Sequence, residues 1–232
     1  MTKKLITLSA VAAATMLLLA NSPSALAIPT VFVTDGISSF TIVDNTGMDG
    51  DPTAGSVVFS TSIGNWFLVV TVGQTKPLIG SAGNPMLDLF TVQASSTAGG
   101  NLWVKFSDNN FTSPGPNAFA SIGGTTDGTV VYNVFGDAGN VTLAQTTLLT
   151  SVGPFGPGSF SGDATAAAGF SGPYSLTLNT KVTHSGAGFT QYDANLVVPD
   201  GGLTVGLLGV AMLGLEAVRR VVGKRSTHFV AR

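Results

Sequence analysis

No cysteine occurs anywhere in the 232 residues. That removes disulfides, thiolate nucleophiles and zinc–thiolate centres together. Charge is nearly as scarce, at 9% of residues, and glutamate occurs once, as Glu216. Between residues 28 and 200 the only histidine is His184. A body without glutamate and with one histidine holds no H-E-x-x-H helix, and no G-x-S-x-G turn occurs despite 30 glycines. The familiar hydrolase and metalloprotease constellations are therefore excluded, and only paired aspartates remain as a route to glycoside hydrolysis.

What is present points to a β-rich fold. The chain is 44% hydrophobic, far from the low-apolar composition of disordered chains. Glycine-rich punctuation between short apolar runs suits an all-β domain. The body carries three cations, Lys76, Lys105 and Lys181, against eleven aspartates from Asp35 to Asp200, a charge of −8. A body of that sign repels phosphate backbones and anionic membrane surfaces, so nucleic acid is not an expected partner. The same charge keeps a β-rich chain soluble.

Both termini read as addresses. The first 27 residues, MTKKLITLSAVAAATMLLLANSPSALA, combine Lys3 and Lys4, an apolar stretch from Leu5 to Ala20, and small residues at Ala25 and Ala27. This is the pattern of a secretory signal peptide cut after Ala27. Near the other end lies VPDGGLTVGLLGVAMLGLEAVRR, residues 198–220. Pro199 and Gly201-Gly202 break the chain, and residues 201–218 carry a single charge, Glu216. As a helix they would span about 27 Å, close to a bilayer core of about 30 Å. Their large apolar residues point all round, which excludes an amphipathic surface helix. Glu216 can pair with Arg219 or Arg220, three and four residues on. The basic tail of residues 219–232 marks the cytoplasmic side.

Val198, Pro199, Asp200, Gly201 and Gly202, then Leu207, Leu208, Gly209, Leu213, Gly214 and Leu215, then Arg219 and Arg220 resemble a PEP-CTERM sorting signal. The variant is the one in which Val-Pro-Asp replaces Pro-Glu-Pro. The resemblance implies an exosortase partner that removes the tail, after export by the secretion machinery. The chain is then a precursor held in the membrane by its C-terminal helix, and its mature form lies at the cell surface or in the extracellular matrix. The hydrophobic tail is temporary, as in a GPI signal. The phrases NW…TKPLIG and SIGGTT…GTV also resemble the bodies of other exosortase substrates, to which no defined activity attaches.

Residues 28–197 divide into about ten short β-runs. Leu102, Val104 and Phe106 alternate with Trp103, Lys105 and Ser107. Tyr174, Leu176 and Leu178 alternate with Ser175, Thr177 and Asn179, and Tyr192, Ala194 and Leu196 with Gln191, Asp193 and Asn195. The pattern predicts a single antiparallel β-sandwich or jelly-roll-like domain, with long loops over residues 47–55 and 154–172.

Three places are candidates for chemistry. Trp103 falls on the polar face of its strand and is the expected platform for a polysaccharide, whereas Trp66 sits in an apolar strand and is expected in the core. Asp44, Asn45, Asp49 and Asp51 crowd DNTGMDGDP and could supply oxygens to calcium, although their spacing is not that of an EF-hand and such residues also stabilise turns. His184 precedes Ser185-Gly186 and is read as a turn histidine. NFT at Asn110 and NVT at Asn140 match a glycan-acceptor pattern. No cofactor is implied. The expectation is a non-enzymatic, structural or adhesive surface protein, with exopolysaccharide binding as the alternative and an aspartate hydrolase behind it.

Overall fold

A computed structural model describes residues 28–112, 115, 117–199, 208–216 and 219. The strands are β1 (Thr30–Thr34), β2 (Ser39–Val43), β3 (Ser56–Ile63), β4 (Trp66–Gln74), β5 (Met86–Ser96) and β6 (Gly100–Phe111), followed by β7 (Asn117–Thr126), β8 (Thr129–Asp137), β9 (Thr147–Phe155), β10 (Gly158–Ala167), β11 (Tyr174–His184) and β12 (Gly188–Val197). They make two six-stranded sheets, β2-β1-β6-β11-β8-β9 and β10-β7-β12-β5-β4-β3. Every strand pairing is antiparallel. The all-β sandwich expected from the periodicity is therefore present.

Alternation builds the core. Leu102, Val104 and Phe106 of β6 turn inward, as do Tyr192, Ala194 and Leu196 of β12, while Gln191, Asp193 and Asn195 face water. Trp66 is buried as its apolar strand predicts. β11 breaks the simple rule, because Ser175, Thr177 and Asn179 are buried along with its apolar set. It lies between β6 and β8, and loop 138–146 crosses its outer face, where the Val141 carbonyl accepts the Ser175 hydroxyl at 2.7 Å. The last two strands occupy the interior of both sheets, β11 in one and β12 in the other. The body therefore closes only when the chain is complete through Val197, a strongly non-local topology.

Two expectations are corrected. There are twelve strands among the described residues, and residues 154–172 are not one long loop, because β10 runs through them against β7. β10 is an edge strand whose inward positions are Phe160, Gly162, Ala164 and Ala166, so a single large apolar residue announces it. Conversely the run from Val141 becomes strand only at Thr147. Residues 47–55 do form a connection without a strand.

Val198 is fully buried and donates its N–H to the Pro85 carbonyl at 2.9 Å, so the body's packing extends to this residue. Residues 208–216 are helical, with Leu208, Val210, Met212, Leu213 and Leu215 exposed. Arg219 lies 3.8 Å from Glu216, the pairing expected from the i,i+3 spacing. Among the described residues no helix is long and apolar enough to cross a membrane. The signal peptide with Ala25 and Ala27, the residues Asp200, Gly201, Gly202 and Arg220, and half of the expected span 201–218 lie outside the described residues.

Candidate functional site, a groove at Trp103

The outer face of the first sheet carries two cross-strand rows. One runs Thr34, Trp103, Lys181 and the next Phe32, Lys105, Asn179, across β1, β6 and β11. Alternation puts all six side chains on the face away from the core. Trp103 is half-buried there, beside a groove of about 260 Å³ lined by Thr34, Gly36, Trp103, Lys105, Gln145 and Asn179. Gly36 belongs to the β1–β2 turn, at φ +92°, and a Cβ at that position would lie 3.4 Å from the indole. The turn thus rests directly against the ring, in a backbone conformation that glycine supplies without strain.

The other wall is loop 138–146. Asp137 holds its two ends, accepting the Val141 N–H at 2.9 Å and the Thr146 hydroxyl at 2.7 Å. These bonds keep the Asp137 carboxyl below the usual carboxylate range, the Val141 amide contributing most. Asn140 pairs with Asn110, each joined to the other at 2.7 Å. The two glycan-acceptor matches are thus one structural clasp between loop and sheet. The loop delivers Gln145, whose Oε1 accepts from Lys105 Nζ at 2.8 Å. Burial holds Lys105 below the usual lysine value. Lys105 Nζ sits 5.2 Å from the Phe32 ring centroid and Lys181 Nζ 5.1 Å from that of Trp103. Asn179, only 8% exposed, keeps a buried Oδ1 with no hydrogen-bond partner.

The aspartate loop is built differently from a cation site. Asp49 accepts the N–H groups of Asn45, Asp51 and Val58 at 2.9–3.0 Å, Asp44 that of Gly55 at 2.9 Å, and Asp51 that of Thr53 at 3.0 Å. Asn45 adopts φ +59°, a turn conformation. Burial raises the Asp44 carboxyl, the Gly55 N–H opposes it, and Asp49 and Asp51 push it further up. These hydrogen bonds shape the turn, while Asp44 Oδ1 is buried without a hydrogen-bond partner. Among the described residues no group of three or more His, Cys, Asp or Glu is placed to hold a metal. Asp88 and Asp193 are the other acidic neighbours. Burial, then Asp193, raises Asp88, while Asp193 takes the Thr91 N–H at 2.5 Å on the outer face of the second sheet.

His184 is the last residue of β11, at the strand end beside Ser185-Gly186, and it is buried. The Ser96 hydroxyl donates to the Gly186 carbonyl at 3.0 Å, so the 3.2 Å contact to His184 Nδ1 has the ring as donor. Nε2 then accepts from Thr190, which lies 2.6 Å from Thr126. The ring is 4.8 Å from Trp66, and both of its nitrogens are occupied. Burial holds its pKa below the ordinary 6.5, against a smaller opposing pull from Asp127. A base depressed on folding is bound by more protons when unfolded, so stability falls as pH drops through about 6.5. The urea midpoint is expected to be lower at pH 5 than at pH 7, by up to about 1.4 kcal/mol per pH unit in free energy. His184→Gln should flatten that interval, and an unchanged slope in the variant would refute the assignment.

Sequence reading did not find the apolar face of the second sheet. Phe67, Phe90, Phe119 and Phe189 are 42–57% exposed, and Phe67 and Phe189 flank Ser95 in one cross-strand row. The available signal was phase, since Phe67 falls between the inward-facing Trp66 and Leu68.

No family model and no curated protein matches the chain. Among solved structures it is similar to TmCBM61 in complex with β-1,4-galactotriose, at 9% identity over 58% of this chain and 88% of that one, TM-score 0.34. The K1 cleaved adhesin domain of Lys-gingipain from Porphyromonas gingivalis overlaps 61% of this chain and 94% of its own at 9% identity, TM-score 0.32. A CBM29-2 point mutant complexed with mannohexaose overlaps 75% and 93% at 13% identity, TM-score 0.30. Overlaps this loose say nothing of what the present chain binds.

Proposed function

We propose that this is an exported, non-enzymatic β-sandwich protein that adheres to polysaccharide at the cell surface or in the extracellular matrix. The observation that carries the reading is the half-buried Trp103 set in an open groove on the outer face of the first sheet. An indole offers its apolar face to the C–H face of a sugar ring, and the groove's polar edge supplies hydrogen bonds to hydroxyls. The role is structural and adhesive, and no pair of aspartates in the sandwich is assigned to chemistry.

Delivery follows from the two ends. The signal peptide is removed after Ala27, the helix of residues 201–218 holds the precursor in the membrane, and an exosortase recognises Val198 to Gly202 ahead of Arg219 and Arg220. Because Val198 is packed into the body, the bond cut lies beyond it.

Two measurements test the reading. In gels containing polysaccharide the exported chain should migrate more slowly than in plain gels, and Trp103→Ala should abolish the retardation. Intact mass from the host envelope and medium should give a chain beginning at Ile28 and ending near Asp200 only when the exosortase is present. A product retaining residues up to Arg232 in both strains would reject the sorting step.

A further inference from the structure

We propose that the Trp103 groove is specific for acidic sugars, so that its ligand is a uronate-bearing polysaccharide. This rests on the polysaccharide reading above and sharpens it to a chemical class. Only three lysines serve a body with eleven aspartates. Lys76 is buried against Asp108 at 2.6 Å. The remaining two, Lys105 and Lys181, sit in adjacent cross-strand rows of one face, next to the same tryptophan. Neither is within ion-pair distance of a carboxylate among the described residues.

The neighbouring acids are turned away. Asp35, in the turn beside the groove, accepts the N–H groups of Ile37 and Ser38 at 2.9 and 2.7 Å. Asp137 is engaged by Val141 and Thr146. The groove therefore presents two ammonium groups without a carboxylate partner among the described residues, on a body that is otherwise negative. Such a body repels an acidic polymer everywhere else, which fixes both where the polymer docks and in which orientation.

A second feature asks for a sugar. Asn179 lines the groove, and its Oδ1 is buried behind the surface without a donor. A buried acceptor without a donor is costly, and a turn of the amide toward the groove would let a ring hydroxyl supply one. Lys181 now rests over the indole, stabilised only by the ring's negative face. A carboxylate gives its ammonium a stronger partner and leaves the indole face to the pyranose. Lys105, steered by Gln145, reaches the same anion or the hydroxyl beside it.

The test uses the exported chain purified from its host, titrated with hexagalacturonate and with cellohexaose as the neutral counterpart. Calorimetry gives affinity, and tryptophan fluorescence reports the site, because Trp66 is 3% exposed and Trp103 faces the groove. At 50 mM salt the uronate should bind about tenfold more tightly or better, and the advantage should disappear at 500 mM. Lys181→Gln and Lys105→Gln should each lower uronate affinity about five- to tenfold, and the ratio of uronate to cellohexaose affinity should fall with it. Lys181→Arg, which keeps the charge, should restore most of the loss.

Equal affinity for the two sugars, or uronate binding indifferent to salt and to both glutamine variants, would overturn acidic specificity and leave the polysaccharide reading intact. Failure to bind any saccharide, charged or neutral, in solution or in gels, would overturn both.

Discussion

Lys76→Met is expected to lower the stability of the body by about 3–5 kcal/mol, read as a fall in urea midpoint at unchanged slope. Lys76 follows β4 of the second sheet and Asp108 lies in β6 of the first. Their 2.6 Å contact, between side chains 3% and 0% exposed, ties the sheets at one end of the sandwich. Thr75 donates to the same carboxylate at 3.1 Å, and the Asn109 and Ile28 amides donate at 2.8 and 3.2 Å. Lys76 gives a further hydrogen bond to the Asn109 carbonyl at 2.5 Å and lies 4.4 Å from the Phe111 ring centroid. Burial lowers the Lys76 pKa and Asp108 opposes it, so the aspartate is what keeps the ammonium charged inside.

Removing the lysine alone strands a carboxylate in the core. The double variant Lys76→Met with Asp108→Asn should recover most of the loss, because the amide oxygen still accepts from the Ile28 and Asn109 nitrogens and no buried carboxylate is left without its lysine. If the double variant is no more stable than Lys76→Met, the buried charge is not the cause.

Such a pair could not be read from the sequence, since thirty-two positions separate the partners and β6 joins β4 only across the core. What was legible is local. The period-two pattern of Leu102, Val104 and Phe106 identifies both the inward face of β6 and the outward position of Trp103, because one strand fixes both at once. The outward position of Trp103 was therefore foreseeable, but the groove beside it was not. Gln145 comes from loop 138–146, Asn179 from the face of β11 opposite its apolar set, and Gly36 from a turn. Each required knowing that β1, β6 and β11 are neighbours. In the aspartate loop the sequence shows the crowding of Asp44, Asn45, Asp49 and Asp51 but not the backbone N–H groups of Asn45, Gly55 and Val58 that reach their carboxylates. β10 escaped because its edge position demands little apolar surface.

The same non-local logic sets the second large effect. Phe106→Ala is expected to cost about 3–5 kcal/mol, since its ring is fully buried and removing it leaves a cavity that two rigid sheets cannot close. The ring is accommodated by an absence opposite it. A Cβ placed on Gly73 of β4 would lie 3.3 Å from Phe106 Cε2 and 3.5 Å from Leu89 Cδ2. Gly73 thus acts as the recess for a large side chain of the facing sheet, which explains why an apolar central strand spends a position on glycine despite its cost. Gly73→Ala alone must push the ring a few tenths of an ångström and should be neutral to destabilising by about 1 kcal/mol. In the Phe106→Ala background the same methyl enters the vacated space and should return about 1 kcal/mol. The two substitutions should therefore be non-additive, with the sign of Gly73→Ala reversing between backgrounds. Strict additivity in chemical denaturation would show that Gly73 and Phe106 do not share that space.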